Sequence, residues 1–200
     1  MTIKDFGARV ESVWEGLRPV TKKMLSGAAE APVKPNRKFS YDAHADWELS
    51  RLLSVLDEQS ENKEIKKDAE KLREIKEFSE TCARVLEAQT ESAEVFIQLA
   101  KRALARNDFR KIDQLADILA SRFSAGEVAE IVRQTDMAQI RALAYEALAL
   151  KRISSLLKII DDPLYFEIVR NAIEQQAFEY ESDEARAVLE HLDFDEMSGE

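Results

Sequence analysis

Asn107-Asp108-Phe109-Arg110-Lys111-Ile112, Thr135-Asp136-Met137-Ala138-Gln139-Ile140 and Pro163-Leu164-Tyr165-Phe166-Glu167-Ile168 follow one another at a spacing of about 28 residues. Superposed, they put Ile112, Ile140 and Ile168 in one column, Ala116, Ala144 and Ala172 in a second, and Phe109, Met137 and Tyr165 in a third. Val128, Ile131 and Val132 align with Leu156, Ile159 and Ile160, and Ala185, Val188 and Leu189 follow after a slip of one residue. A fixed period of this size marks an array of helix pairs, because a single pair cannot bury its apolar face and must stack on its neighbour. The predicted helices are 108–122 with 125–134, 136–149 with 151–160, and 163–180 with 183–192. Asp108 and Asp136 stand at N-cap positions, and Pro163 follows Asp162 at the first helical position of the third unit.

In two of these units an Asp or Asp-Pro opening leads to Ile140-Arg141 or Val169-Arg170, followed by small residues. The pattern resembles HEAT-type repeats over residues 99–192, although Ile112-Asp113 carries Asp where the pattern has Arg. The units are shorter than the usual ~40 residues and closer to compact bacterial variants. The resemblance implies a curved α-solenoid that binds other macromolecules or caps an assembly, and it carries over no active site.

Composition agrees with an all-α fold, a short α-solenoid of antiparallel helix pairs. Only 5 of 200 residues are Gly and 4 are Pro, too few turn formers for a set of β-hairpins. The net charge of −10 sits mainly at one end: residues 161–200 hold 2 basic and 13 acidic groups, whereas 101–160 hold 11 and 7. Such acidity favours solubility, and the absence of an overall basic balance argues against a nucleic-acid binder. No apolar run reaches the ~20 residues of a membrane span, so no membrane partner is expected. Met1–Phe6 lacks the apolar stretch of a signal peptide, and the lone Cys82 forms no intramolecular disulfide; cytoplasmic is the expected location.

Upstream of the repeats, three segments are expected. Ile3, Phe6, Val10, Val13, Trp14 and Leu17 recur at helical spacing and predict an amphipathic helix over 3–17, tethered by a Pro-containing linker that ends at residue 46. Its stripe must either pack on the chain itself or dock on a partner. Pro32-Val33-Lys34-Pro35 has PxxP spacing, which a tether explains equally well. Trp47, Leu49, Leu52, Leu53 and Leu56 predict a helix over 43–59 capped by Asp42. Residues 63–89 read as one long helix with Ile65, Ala69, Leu72, Ile75, Cys82, Val85 and Leu86 along a narrow stripe. The domain division is then 1–46, 47–192 and an acidic tail, 193–200.

Catalytic signals are weak. His44 and His191 lack ligand spacing, Cys82 belongs to an apolar stripe, and no glycine-rich phosphate loop occurs. No enzyme, cofactor or metal is expected. The residues singled out instead are a docking set, Phe6, Val10, Trp14, Tyr165 and Phe166, and a basic ridge, Lys101, Arg102, Arg106, Arg110 and Lys111. Stacking of the repeats would extend that ridge to Lys151, Arg152 and Lys158. The expected function is a non-enzymatic protein–protein interaction or scaffold module with a protein partner. The alternative is a homo-oligomeric structural or regulatory subunit assembled through residues 3–17 and 63–89.

Overall fold

The computed structural model describes residues 3–30 and 41–198, without the side chains of 4, 30 and 193–198; Pro32–Pro35 lies outside the described residues. All regular secondary structure among them is helical, and none of the helices is long and apolar enough to cross a membrane. The chain divides into two compact units, Met1–Thr90 and Glu91–Glu200, so the expected single domain over 47–192 is cut at Thr90.

Unit 1 contains a 3₁₀ turn (Ile3–Phe6) and four helices: α1 (Ala8–Gly16), α2 (Pro19–Glu30), α3 (Ala43–Ser60) and α4 (Ala69–Gln89). Leu49, Leu52, Leu53, Leu56, Ile75 and Leu86 are fully buried where α3 packs along α4. The first helix is no free tether. Phe6, Val10, Val13 and Leu17 are buried within the unit, α1 lies on α3, and the Trp14 ring meets Phe78 of α4 edge-on at 5.7 Å. The entry to α1 is made by Gly7 at φ +108°, where an added Cβ would stand 2.8 Å from the Gln59 amide nitrogen.

Two further expectations for this half are corrected. Residues 19–30 form a helix inside the stretch expected to be linker, because Pro19 opens α2 instead of merely ending α1. Thr21, Met24, Leu25 and Ala28 give that helix a buried face. The 63–89 helix is interrupted: Ile65–Lys67 is a short 3₁₀ turn, and Asp68 then caps α4 by accepting a hydrogen bond from the Lys71 N–H. Competition from the aspartate side chain ends one element and starts the next. Ala69 is consequently exposed, while Ile75, Cys82, Val85 and Leu86 keep the stripe. Asp42 does cap α3, accepting from Ala45 N–H at 2.8 Å. Trp47 departs from the core, 58% exposed, with its ring near His44 and the Arg51 guanidinium.

Unit 2 holds α5 (Ala93–Ala105), α6 (Phe109–Arg122), α7 (Ala125–Gln134), α8 (Ala138–Ala149), α9 (Ile153–Leu156), α10 (Phe166–Phe178) and α11 (Asp183–Ser198). Alternate helices touch: α6 packs on α8 and α8 on α10, while α5 packs on α7 and α7 on α9. Across these rows α5 meets α6, α7 meets α8 and α10 meets α11. The turn between α5 and α6 closes on Asn107 at φ +54°, with Asp108 N–H bonded to Ala103 C=O and Asn107 N–H to Leu104 C=O. This is a Schellman ending in which Asn takes the left-handed position usually held by Gly.

The repeat columns survive only in part. Ile140, Ala144 and Ala172 are buried, but Ile112, Ala116 and Ile168 are half-buried, and Phe109 is 67% exposed. Leu115, Leu119, Val169 and Ile173 supply the missing core positions, because the helices begin at different offsets from the repeat signature. Met137, not Asp136, stands at the N-cap of α8, and Thr135 Oγ1 accepts the Met137 N–H. The segment expected as a helix over 151–160 contains only the short α9. Pro163 disfavours helical geometry at Asp162, whose side chain accepts the Leu164 N–H in an Asx-type turn, so α10 starts at Phe166. At the C-terminus α11 runs on to Ser198, through most of the expected tail.

Candidate functional site

The end of α6, the start of α7 and the α9 segment enclose a cleft of about 580 Å³ in unit 2. Each wall has a local cause. Phe123 is extended and ends α6, and its ring packs into the core against Phe96 at 5.6 Å. Ser124 begins α7 by accepting the Glu127 N–H at 3.2 Å. The third wall is held by Lys151, whose Nζ donates to the Leu119, Ala120 and Phe123 carbonyls at 3.3, 2.5 and 2.7 Å. A cation on the unpaired carbonyls of a helix end satisfies acceptors that α6 cannot satisfy itself. Burial pushes the Lys151 pKa below the ordinary lysine value.

Lys151 is thus a clamp between α6 and the α8–α9 turn, and Gln176 Nε2 secures the same turn by donating to the Lys151 carbonyl at 2.8 Å. Lys151→Met keeps most of the aliphatic stem but deletes the ammonium. The expected loss is about 2 kcal/mol, the scale of hydrogen bonds made by a charged donor. Faster amide exchange in the last turn of α6 would locate the effect, whereas unchanged exchange there would contradict the clamp.

Arg152 and Lys158, both exposed, complete the cationic lining of the cleft, with Ser121, Ser124 and Ser155 beside them. Among the described residues no aspartate or glutamate lines it. The basic ridge expected from sequence is not continuous with this cleft. Lys101, Arg102, Arg106, Arg110 and Lys111 surround the α5–α6 turn, at the N-terminal end of α6, and the cleft is at its C-terminal end. Along α6 the nearest members of the two, Lys111 and Ala120, are nine residues apart, a rise of about 14 Å.

The expected docking residues are mostly engaged inside the protein. Phe6 and Val10 are in the core of unit 1, and half-buried Trp14 rests on Phe78. The 3–17 stripe named for homo-oligomerisation is covered largely by its own unit, whereas along 63–89 Ala69 is exposed and Leu72 lines an open cleft. Tyr165 and Phe166 are half-buried. The Tyr165 hydroxyl donates to Glu130 at 3.0 Å, and Arg133 and Gln134 donate to the same carboxylate. Hydrogen bonding from Arg133, opposed by burial and reinforced by Gln134 and Tyr165, brings the Glu130 pKa down to about 2. Tyr180 makes the parallel contact with Glu146 at 2.6 Å.

Phe178, the last residue of α10, is 74% exposed, and Tyr180 beyond it is also exposed. Phe178 lies beside a groove of about 340 Å³ between α10 and α11, with Leu189 at the floor and Arg170 and Arg186 among the lining residues. In unit 1 a larger cleft of about 720 Å³ combines Leu72 and Phe78 with a mixed rim that includes Arg73, Lys76 and Glu77. Cys82 is buried, its Sγ donating to the Leu49 carbonyl at 3.3 Å, and both histidines are exposed. Among the described residues no group of His, Cys, Asp and Glu is placed to hold a metal ion.

Compared with known proteins, the chain matches no family model, no curated protein and no solved structure.

Proposed function

We propose that the protein is a non-enzymatic interaction or scaffold module whose second unit is a short HEAT-like array with a protein partner. The observation that carries this reading is the packing of alternate helices into two rows, α6–α8–α10 and α5–α7–α9. Arrays of this kind offer extended surfaces for recognition, and their terminal pairs ordinarily need a polar outer face. Phe178 breaks that rule at the last pair, so a partner that covers it is the economical explanation of its exposure.

The experiment compares the wild-type chain with Phe178→Asp as immobilised bait, followed by reciprocal capture with the purified candidate. The variant should keep its fold, because the side chain is already solvated, and should lose the partner that the wild type retains. Identical capture by both baits, or none by either, would overturn docking at this position. Light scattering of the same samples identifies the case in which the retained partner is a second copy.

A further inference from the structure

We propose that the cleft between the end of α6, the start of α7 and the α9 segment is a binding site for the phosphate group of a phosphomonoester. Three cationic side chains line one concavity without a carboxylate among the described residues, in a chain whose net charge is −10. Cations placed at random in such a chain would usually face an acid. The second basic cluster illustrates the contrast: it surrounds a turn, and Arg102, Arg106 and Lys111 already interact with neighbouring groups. Among the described residues Arg152 and Lys158 take part in no ion pair.

The division of labour within the cleft follows from its contacts. Lys151 spends its three donors on α6 carbonyls and anchors the backbone from which Arg152 projects. Arg152 offers the planar fork that matches two phosphate oxygens, and Lys158 adds a compact second charge. The Ser124 oxygen accepts from Glu127 N–H, which leaves its hydroxyl hydrogen available, and Ser155 supplies another hydroxyl at the wall. Like-signed charges gathered in one concavity raise the local potential and attract a compact dianion. An extended acidic peptide fits less well, because the two free cations and the hydroxyls lie within one concavity instead of along a track. This site stands apart from Phe178, so either proposal can fail alone.

Calorimetric titration of the full chain at low ionic strength with inorganic phosphate, and then with glycerol phosphate, tests the site. Saturable one-site binding is expected for the wild type and for the K101E/R110E control. In R152E/K158E both probes should bind at least about tenfold more weakly, as loss of two charge-assisted contacts requires. Absence of saturable binding in the wild type, or equal affinity in R152E/K158E, would overturn the proposal. So would tighter binding of a hexaglutamate peptide or an oligonucleotide than of glycerol phosphate. Should charge reversal lower the ligand-free melting temperature, R152Q/K158Q replaces it with the same two outcomes.

Discussion

Phe6→Ala should destabilise unit 1 by about 3–5 kcal/mol, the range for deleting a buried phenyl group. Phe6 is fully buried, its ring 6.4 Å from that of Phe78, and the same Phe78 carries Trp14 on its edge. The truncation therefore opens a cavity under a shared aromatic cluster, with Val10 and Leu17 in the same core. Both tryptophans of the chain, Trp14 and Trp47, lie in unit 1, so fluorescence during urea unfolding reports that unit selectively. Phe6→Leu, which fills most of the volume, should recover much of the loss. A midpoint equal to the wild type for Phe6→Ala would mean that the first seventeen residues add nothing to the unit.

Glu48→Ala should cost about 2–3 kcal/mol, because it removes charge-assisted hydrogen bonds that hold the start of α2 and leaves the Arg18 guanidinium with Asp42 alone. The Glu48 side chain is only 3% exposed and accepts from the Arg18 backbone N–H at 2.8 Å, from Arg18 Nε at 3.1 Å and from the Thr21 hydroxyl. Arg18 also grips Asp42 with both terminal nitrogens, at 3.0 and 2.7 Å. One carboxylate thus fastens the beginning of α2 to α3. Burial alone would raise the Glu48 pKa, but the Thr21 and Arg18 donors outweigh it and leave the pKa below the ordinary value.

A folded-state pKa below the unfolded one means that the stabilisation is complete above the unfolded value, about pH 4.3, and fades as pH falls through the folded value. Asp42, lowered chiefly by its hydrogen bonds from Arg18, acts in the same direction. The stability gap between wild type and Glu48→Gln should accordingly be constant near neutrality and narrow below about pH 4. A gap that holds its size at low pH would show that the ionised carboxylate is not what stabilises the unit.

Helical class and most helix positions were legible because they rest on local signals: period, caps and the scarcity of turn formers. Asp42 and Asp108 cap the helices that the spacing assigned to them. What escaped depends on contacts distant in sequence. Pro19 reads as a stop signal until Glu48, thirty residues beyond Arg18, is seen to accept the Arg18 N–H at the start of α2. Tyr165 and Phe178 are both aromatics near the third repeat, but Glu130 engages the first and the second is 74% exposed. The cleft was half visible: Lys151, Arg152 and Lys158 stood out as charges, yet the partners of Lys151 lie 28–32 residues earlier. Periodicity also misplaced part of the core, because it registers that three helices are alike and not where each begins.

The burial of α1 has a temporal side. Phe6 and Trp14 are made before Phe78, which completes their aromatic cluster in unit 1 some sixty to seventy residues later. At ribosomal speeds of about 5–20 residues per second, α3 can cover part of the stripe within seconds, but the aromatic cluster stays incomplete for roughly 3–14 s. During that interval the Phe6 and Trp14 rings are open to chaperone capture and to pairing with another nascent chain.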